Sequence, residues 1–567
     1  MHHPPSGEME EFFEDSEIFV TGGSGVVGKA LVEKLLRSCN VRRIYVLLRP
    51  RKQLTAEQRL VRLRQATVFH VLAAQKPEEL DKIVAVPGDV SLPGLGIDPS
   101  MMQRMKGVSL VYHCAATVRF DEPLREALRL NVGGTLEALK FAETLPKLRA
   151  FVHVSTFYSN PYLTRVEPKV GVLRILDYLA CFPDSVALIL AVLLLADGLA
   201  VVPSTDRRYR RRRDAQRVNK KVSRRGSPFA SILIPLVRNT LGYRFYISSF
   251  ISFGYPMAPC PRLIVGFPNT YTFTKNLAES LVNDYRHRLP VIVYRPSIVL
   301  FAVDDPSPGF SPSLMGAMGL FALVGAGILK TVYLGKDIRL DITPQDIGIK
   351  SMLCYTKMGY EIYRQGPPAD LPVYLSSSCT HVPHTFTQIA EQMDTLDLWR
   401  DVAFEKNLMI PGCHYTDRRW AYQFLVFTKQ ILPALILDLL LRIFGRKPVL
   451  MSAVRKAYQT LEVMQPFMFN NWDSPGVTDM ESLSKHSEGS AFNLDAFNHP
   501  DIHGLVIQSC GNMLYSIRTH LLREDPKTLG RSKRILRIKV FLYRLLRLFL
   551  LYKLILWLWR SYMAHLF

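Results

Sequence analysis

A doubly wound α/β fold on a parallel sheet is what this 567-residue sequence predicts, and three observations carry the prediction. A short apolar run, Ile18 to Val20, breaks into Gly22, Gly25 and Gly28, and a helix-patterned segment follows from Lys29 to Arg37. Strand-length apolar runs then alternate with helix-patterned segments to about residue 162. After about residue 383 the pattern becomes mainly helical and ends in a basic, leucine-rich tail. Strands alternating with helices imply a parallel sheet covered on both faces.

Each element follows in order. Ile44 to Leu48 reads as a second buried strand, ending in Arg49-Pro50-Arg51-Lys52. Lys82 to Val86 leads into Gly88-Asp89-Val90, and Ser109 to His113 into Cys114-Ala115-Ala116. Leu128 to Glu143 has helical periodicity and contains Asn131. Ala150 to Val154 is a strand that runs into Ser155-Thr156. Pro268 to Lys275 opens a helix that reaches Tyr285. Val291 to Tyr294 is the next strand, followed by Arg295-Pro296-Ser297. Asp341 to Asp346 begins another helix, and 371–380 supplies one more strand-like run.

The expected organisation is a frayed, disordered N-terminus over 1–16 and a doubly wound sheet domain over 17–380. An atypical insertion at 165–261 interrupts that domain. A helical domain over 381–530 and a membrane-associated tail over 531–567 complete the chain. Inside the insertion an apolar run, 185–202, precedes an arginine cluster at 207–213. It reads either as a membrane-embedded segment with its arginines on the cytosolic side or as a poorly specified insertion. Residues 430–444 have the length and apolarity of a buried or interfacial helix, and the tail carries Lys and Arg spaced through leucines. A monotopic anchor and a span with snorkelling cations both fit that tail.

The formal net charge is +22, yet no zinc-finger spacing, RNA-binding signature or basic zipper occurs, so nucleic acid is not an expected partner. The positive charge lies beside apolar stretches, which favours a lipid bilayer. Eight cysteines without a Cys-x-x-Cys pair suit a reducing, cytosol-facing location. The acidic N-terminus is not a secretory signal. His381 and His384 have no partner at metal spacing, so no metal is expected. His113, at a strand end, reads as packed.

Strand, glycine turn and helix make the unit that seats a dinucleotide pyrophosphate on a helix N-terminus. Tyr271 and Lys275 stand four residues apart, on one face of their helix. A nearby ammonium is expected to lower the tyrosine pKa toward the range of a general acid. Ser155 or Thr156 can donate to the same carbonyl oxygen, with Thr156 preferred.

Together, Thr-Gly-Gly-Ser-Gly-Val-Val-Gly-Lys, Val-Leu-Leu-Arg-Pro, Gly-Asp-Val, His-Cys-Ala-Ala-Thr, His-Val-Ser-Thr, Asn-Thr-Tyr-Thr-Phe-Thr-Lys and Tyr-Arg-Pro-Ser resemble an extended short-chain dehydrogenase/reductase. More narrowly, Asp341 to Asp346 and the Leu-Pro-Ala-Leu-Ile-Leu-Asp run at 432–438 are similar to the fatty acyl-CoA reductases. The resemblance covers roughly 17–162, 265–380 and, more loosely, 425–525. It implies a Rossmann-like domain, a catalytic set of Thr156, Tyr271 and Lys275, and two NADPH used per acyl-CoA reduced through a bound aldehyde to the alcohol. It also implies cofactor contacts from Thr21, Gly22, Gly25, Val26, Val27, Gly28, Asp89, Val90, Ala115, Ala116, Asn131, Ser155, Arg295, Pro296 and Ser297. Arg49, with Arg51 and Lys52 beside it, stands where a cation accommodates the 2′-phosphate of NADPH.

Long-chain acyl-CoA is then the expected substrate, and a homo-oligomer is compatible with the pattern. The expected location is the endoplasmic reticulum membrane rather than the peroxisome, since no Ser-Lys-Leu ending is present. The rival readings are a related dehydrogenase acting on another lipid, a sterol or a nucleotide sugar, and a reductase remnant that acts as a non-enzymatic membrane protein.

Overall fold

The computed structural model describes residues 7–50, 53–170, 267–339, 341–378, 384–494 and 501–566. Arg51, Lys52, His381 and all of the insertion beyond residue 170 lie outside the described residues. Eleven strands are formed among the described residues: β1 (Glu17–Thr21), β2 (Arg43–Leu48), β3 (Ile83–Pro87), β4 (Val108–His113), β5 (Ala150–Val154), β6 (Val291–Pro296), β7 (Ile298–Val299), β8 (Thr331–Tyr333), β9 (Ile342–Thr343), β10 (Val373–Ser376) and β11 (His414–Thr416). Seven of them build one sheet in the order β10-β6-β5-β4-β1-β2-β3, with every pairing parallel.

The strands are apolar on both sides because both sides are covered. Successive side chains point to opposite faces. Ile18, Val20, Ile44, Val46 and Leu48 therefore enter one core, with the helix Gln345–Arg364. Phe19, Tyr45 and Leu47 enter the other, with the helices Gly134–Glu143 and Thr270–Asp284. The strand order reverses between β1 and β4. That reversal leaves a crevice at the carboxyl ends of the strands, where ligands bind in open α/β sheets.

Two expectations about organisation need correction. The N-terminus does not fray from residue 7 onward. Glu8–Phe13 is a helix whose Met9 and Phe13 are fully buried. Its three apolar residues fall at i, i+3 and i+4, so they share one face despite the acidic context. Phe12 packs at a tilt against Tyr360 and under the Arg149 guanidinium, and Phe13 meets Phe492.

The helical region is also not set apart at residue 381. Leu300, Phe301, Met318, Leu329 and Ile338 share one apolar core with Trp399, Leu461, Met464 and Met513. β8 pairs in parallel with β11. These three-residue strands are too short to leave a period in the sequence. Val477, Leu483 and Phe492 return to the sheet core itself.

Two apolar helices stay largely uncovered. Arg419–Ile443 is long and apolar enough to cross a membrane, by length and composition alone, and only 22% of its most apolar stretch is buried. The terminal helix Leu529–Leu566 exposes most of its leucines and aromatics, including Trp557 and Trp559.

Candidate active site

The glycine turn joins β1 to the helix Val26–Ser38 at the strand-order reversal. Gly22 has φ +71°, and a Cβ there would lie 2.6 Å from the Ala115 backbone nitrogen. A Cβ on Gly28 would lie 2.4 Å from the Gly22 carbonyl oxygen. Only glycine allows the loop to close on β4 and the helix to sit this near the strand. Gly25 is the N-cap residue, so the first N–H groups of the helix, Val26 and Val27 among them, receive no side-chain cap from it. A pyrophosphate fits such a cradle through backbone donors and the helix dipole.

The walls are fixed by a polar ladder. Thr21 Oγ1 lies 2.8 Å from His113 Nδ1 and accepts from the Ala115 N–H at 3.3 Å. The other His113 ring nitrogen lies 3.1 Å from Thr135 Oγ1. Burial pushes the His113 pKa down to about 3, so the ring is a neutral strut. Asn131 sits in a π-turn, Leu128–Gly133, which turns its amide inward. The amide accepts from the Thr117 N–H at 2.8 Å and donates to Thr274 Oγ1 at 2.9 Å. It thereby ties the loop after β4 to the helix carrying Tyr271. Val90 packs under Gly134, 3.1 Å from where a Cβ would be. Ala116 follows Ala115 along the same wall.

Beyond the end of β2, Arg49 donates to Asp89 at 3.3 Å. Burial raises the Asp89 carboxyl, but hydrogen bonds from Ser91 and the Arg49 charge outweigh it and hold the group below the usual carboxylate range. Arg59 reaches back from the next helix to Ser24 Oγ at 3.3 Å and to the Arg49 carbonyl. Ser24, Lys29, Arg59 and Arg62 line an open basic cleft beside the turn. Sequence reasoning missed Arg59, because no motif links it to a turn thirty-five residues earlier.

Thr156, Tyr271 and Lys275 come together. The Tyr271 hydroxyl is hydrogen-bonded to the Thr156 side chain. Lys275 donates to the Val154 carbonyl at 2.6 Å, at the end of β5. The expected lowering of the tyrosine pKa does not occur. Burial pushes Tyr271 up to about 12, with Glu279 adding to the rise and Thr156 opposing it. Burial also brings Lys275 down to about 8. The Tyr271 phenol is therefore firmly protonated, and the Lys275 amine is easily neutralised.

Four residues expected at the cofactor have other partners. Arg295 is fully buried and forks onto Glu279, 2.9 Å from Nε and 2.6 Å from Nη2, while also donating to the Glu167 and Lys169 carbonyls. Its place on β6 points it toward the helix Thr270–Asp284, where a buried charge requires an opposite one. The Ser155 hydroxyl also donates to Glu279. Ser297 bonds Thr343, which joins β7 to β9, and Pro296 remains in the sheet beside Ser376.

The crevice has an aromatic roof that local sequence patterns do not reveal. Phe120 lies 5.7 Å from Tyr271 and 5.4 Å from Phe467, and Phe467 continues to Tyr158 and Trp472. Trp472 donates to the Pro161 carbonyl at 3.0 Å, which fixes the roof to the loop after β5.

Comparison with known proteins agrees with this architecture. An NAD-binding family model described as male sterility protein matches residues 20–352, and the Sterile model of the same description matches 429–507. The chain is 29% identical over 548 residues to the fatty acyl-CoA reductase wat of Drosophila melanogaster, covering 95% of this chain and 91% of that protein. It is 27% identical over 543 residues to fatty acyl-CoA reductase 2 of Homo sapiens, covering 93% and 89%. Among solved structures, the terminal R domain from the myxalamid biosynthetic pathway aligns with a TM-score of 0.50 at 17% identity, over 90% of this chain and 92% of that one, a likeness of fold. With the model match extending over more than half of its length, the chain belongs to the male sterility family, and the relatives it resembles are named as fatty acyl-CoA reductases.

Proposed function

We propose that the protein reduces long-chain fatty acyl-CoA to the primary alcohol, with NADPH as reductant and a bound aldehyde between two reductive steps. One observation carries the reading: the Tyr271 hydroxyl is hydrogen-bonded to Thr156 just past the carboxyl end of β5, at the same end of the sheet as a glycine turn that suits a pyrophosphate. When bound, the reduced nicotinamide supplies the hydride. Thr156 holds the substrate carbonyl oxygen by a hydrogen bond, and Tyr271 gives its proton to that oxygen as negative charge develops there. Lys275, in its protonated form, favours the departing phenolate and makes the proton transfer easier. Arg49 and Arg59 supply the positive charge that a 2′-phosphate requires, which favours NADPH over NADH. Phe120, Phe467 and Trp472 exclude water, so the charge at the oxygen is met by fixed donors in a dry site. The thioester step releases coenzyme A, and the aldehyde step yields the alcohol; each consumes one reductant and one proton.

The leucine-rich terminal helix attaches the protein to a membrane, the endoplasmic reticulum in this reading, with the catalytic body on the cytosolic side. An insoluble product is released where it can dissolve. Membranes containing the protein, given palmitoyl-CoA and NADPH, should form hexadecanol. Tyr271→Phe should lower turnover by about 10³-fold while NADPH binding persists. Unchanged turnover in that variant would refute the assignment of the acid.

A further inference from the structure

The helix Arg419–Ile443 meets the length requirement of a bilayer span, but its anchorage is that of a helix lying on a surface. We infer that it lies in the plane of an anionic leaflet, on the same side as the catalytic body, and does not cross the bilayer. This rests on the membrane attachment proposed above and adds a second contact, distinct from the terminal helix.

One stripe of the helix belongs to the protein. Tyr422, Val426, Gln430, Ala434 and Asp438 are buried at every fourth position. A straight α-helix would rotate such a stripe away, since four residues exceed one turn. The π-turn Phe427–Ile431 sits within it, and its wider turn helps to keep the stripe facing the body.

The buried polar side chains are committed. The Gln430 side-chain oxygen accepts from the Lys330 and Thr331 N–H groups at 3.1 and 2.9 Å, fixing the helix to the start of β8. The Asp438 carboxylate accepts from the Val449, Leu450 and Met451 N–H groups at 3.0, 3.0 and 2.9 Å. It caps the helix Leu450–Phe469, which runs on to the roof residue Phe467. Crossing a bilayer would break all five bonds and leave a carboxylate in hydrocarbon.

The opposite side is apolar and open. Trp420, Phe424, Phe427, Leu435, Ile436 and Leu439 are each exposed by about half or more. Cations stand at both ends, Arg418 and Arg419 before the face and Arg442, Arg446 and Lys447 after it, with Asp417 as the exposed acid beside them. That charge pattern selects the occupant. Two copies packed face to face would bring cationic ends together in either orientation, whereas an anionic leaflet meets both ends favourably. An apolar face with basic flanks and an exposed tryptophan suits the boundary between headgroups and acyl chains.

The test uses the full chain and vesicles of phosphatidylcholine and phosphatidylserine, some carrying brominated acyl chains. Leu432→Trp and, separately, Leu435→Trp place a reporter near mid-helix on the open face, and their signal is read against the unmodified protein. Each added tryptophan should lose most of its fluorescence to bromine placed near the glycerol end and much less to bromine near the terminal methyl. Stronger quenching by the deep label would mean a crossing helix and would overturn the inference. Flotation with the vesicles without quenching at either position would also overturn it, and would leave membrane attachment by the terminal helix standing. Failure to float at all would remove the membrane attachment and this inference together.

Discussion

The crevice beside Tyr271 and the helix Arg419–Ile443 are both rich in apolar residues, and they bury them in opposite ways. Around the crevice the chain supplies its own cover. Sheet residues meet helices on both faces, and the buried ions meet ions, as Arg295 meets Glu279. Along the helix the chain covers one stripe and leaves the other side to something else. Apolarity alone therefore does not distinguish a core element from a docking element. The placement of the polar residues does: Gln430 and Asp438 mark the inward stripe, and the cations mark the ends of the outward face.

The sharpest way to break this comparison is through the buried ion pair. Glu279→Ala leaves the Arg295 charge without its carboxylate, and we expect a stability loss of about 3 kcal/mol or more, read as an earlier urea midpoint. A loss near zero would mean that water reaches Arg295 and that the crevice is not self-covered. A second expectation concerns pH. The Lys275 pKa is brought down to about 8 by burial, so the amine loses its proton as pH rises through that value. The kcat/KM of the enzyme should fall by about tenfold per unit above it. A profile flat to pH 10 would remove Lys275 from the proton transfer.

Smaller effects follow. Arg59→Ala should weaken NADPH binding by about tenfold through lost charge-assisted contacts and leave NADH binding nearly unchanged. Equal losses for the two cofactors would assign Arg59 to the shared pyrophosphate. The smallest expected change is on the open face. Leu439→Glu should alter the stability of the detergent-solubilised protein by no more than about 0.5 kcal/mol, because the side chain has little protein cover to lose. A large destabilisation would show that the face is internal after all.

What the sequence revealed follows the range of the interactions. β1, the glycine turn and the Tyr271–Lys275 pair were legible because each is complete within a few residues. Thr156 stood as one of two candidates, and the bond that commits Ser155 to Glu279 left no mark in the sequence. Arg59, the Arg295–Glu279 pair and the Phe120–Phe467 contact join residues far apart in the chain, and nothing local announces them. The core shared by 300–342 with the helical region was hidden for a different reason: β8 and β11 have three residues each, below the length at which alternation can be counted.

The N-terminal helix places a requirement on synthesis. Met9, Phe12 and Phe13 leave the ribosome well before Phe492, one of their partners, which is made some 480 residues later. At about 5–20 residues per second, that separation is a wait of roughly half a minute to a minute and a half. During that interval the leading segment must remain unaggregated with its greasy face incompletely matched. Its acidic side chains, Glu8, Glu10 and Glu11, suit that task, since charge keeps an unfinished segment dispersed until its late partner arrives.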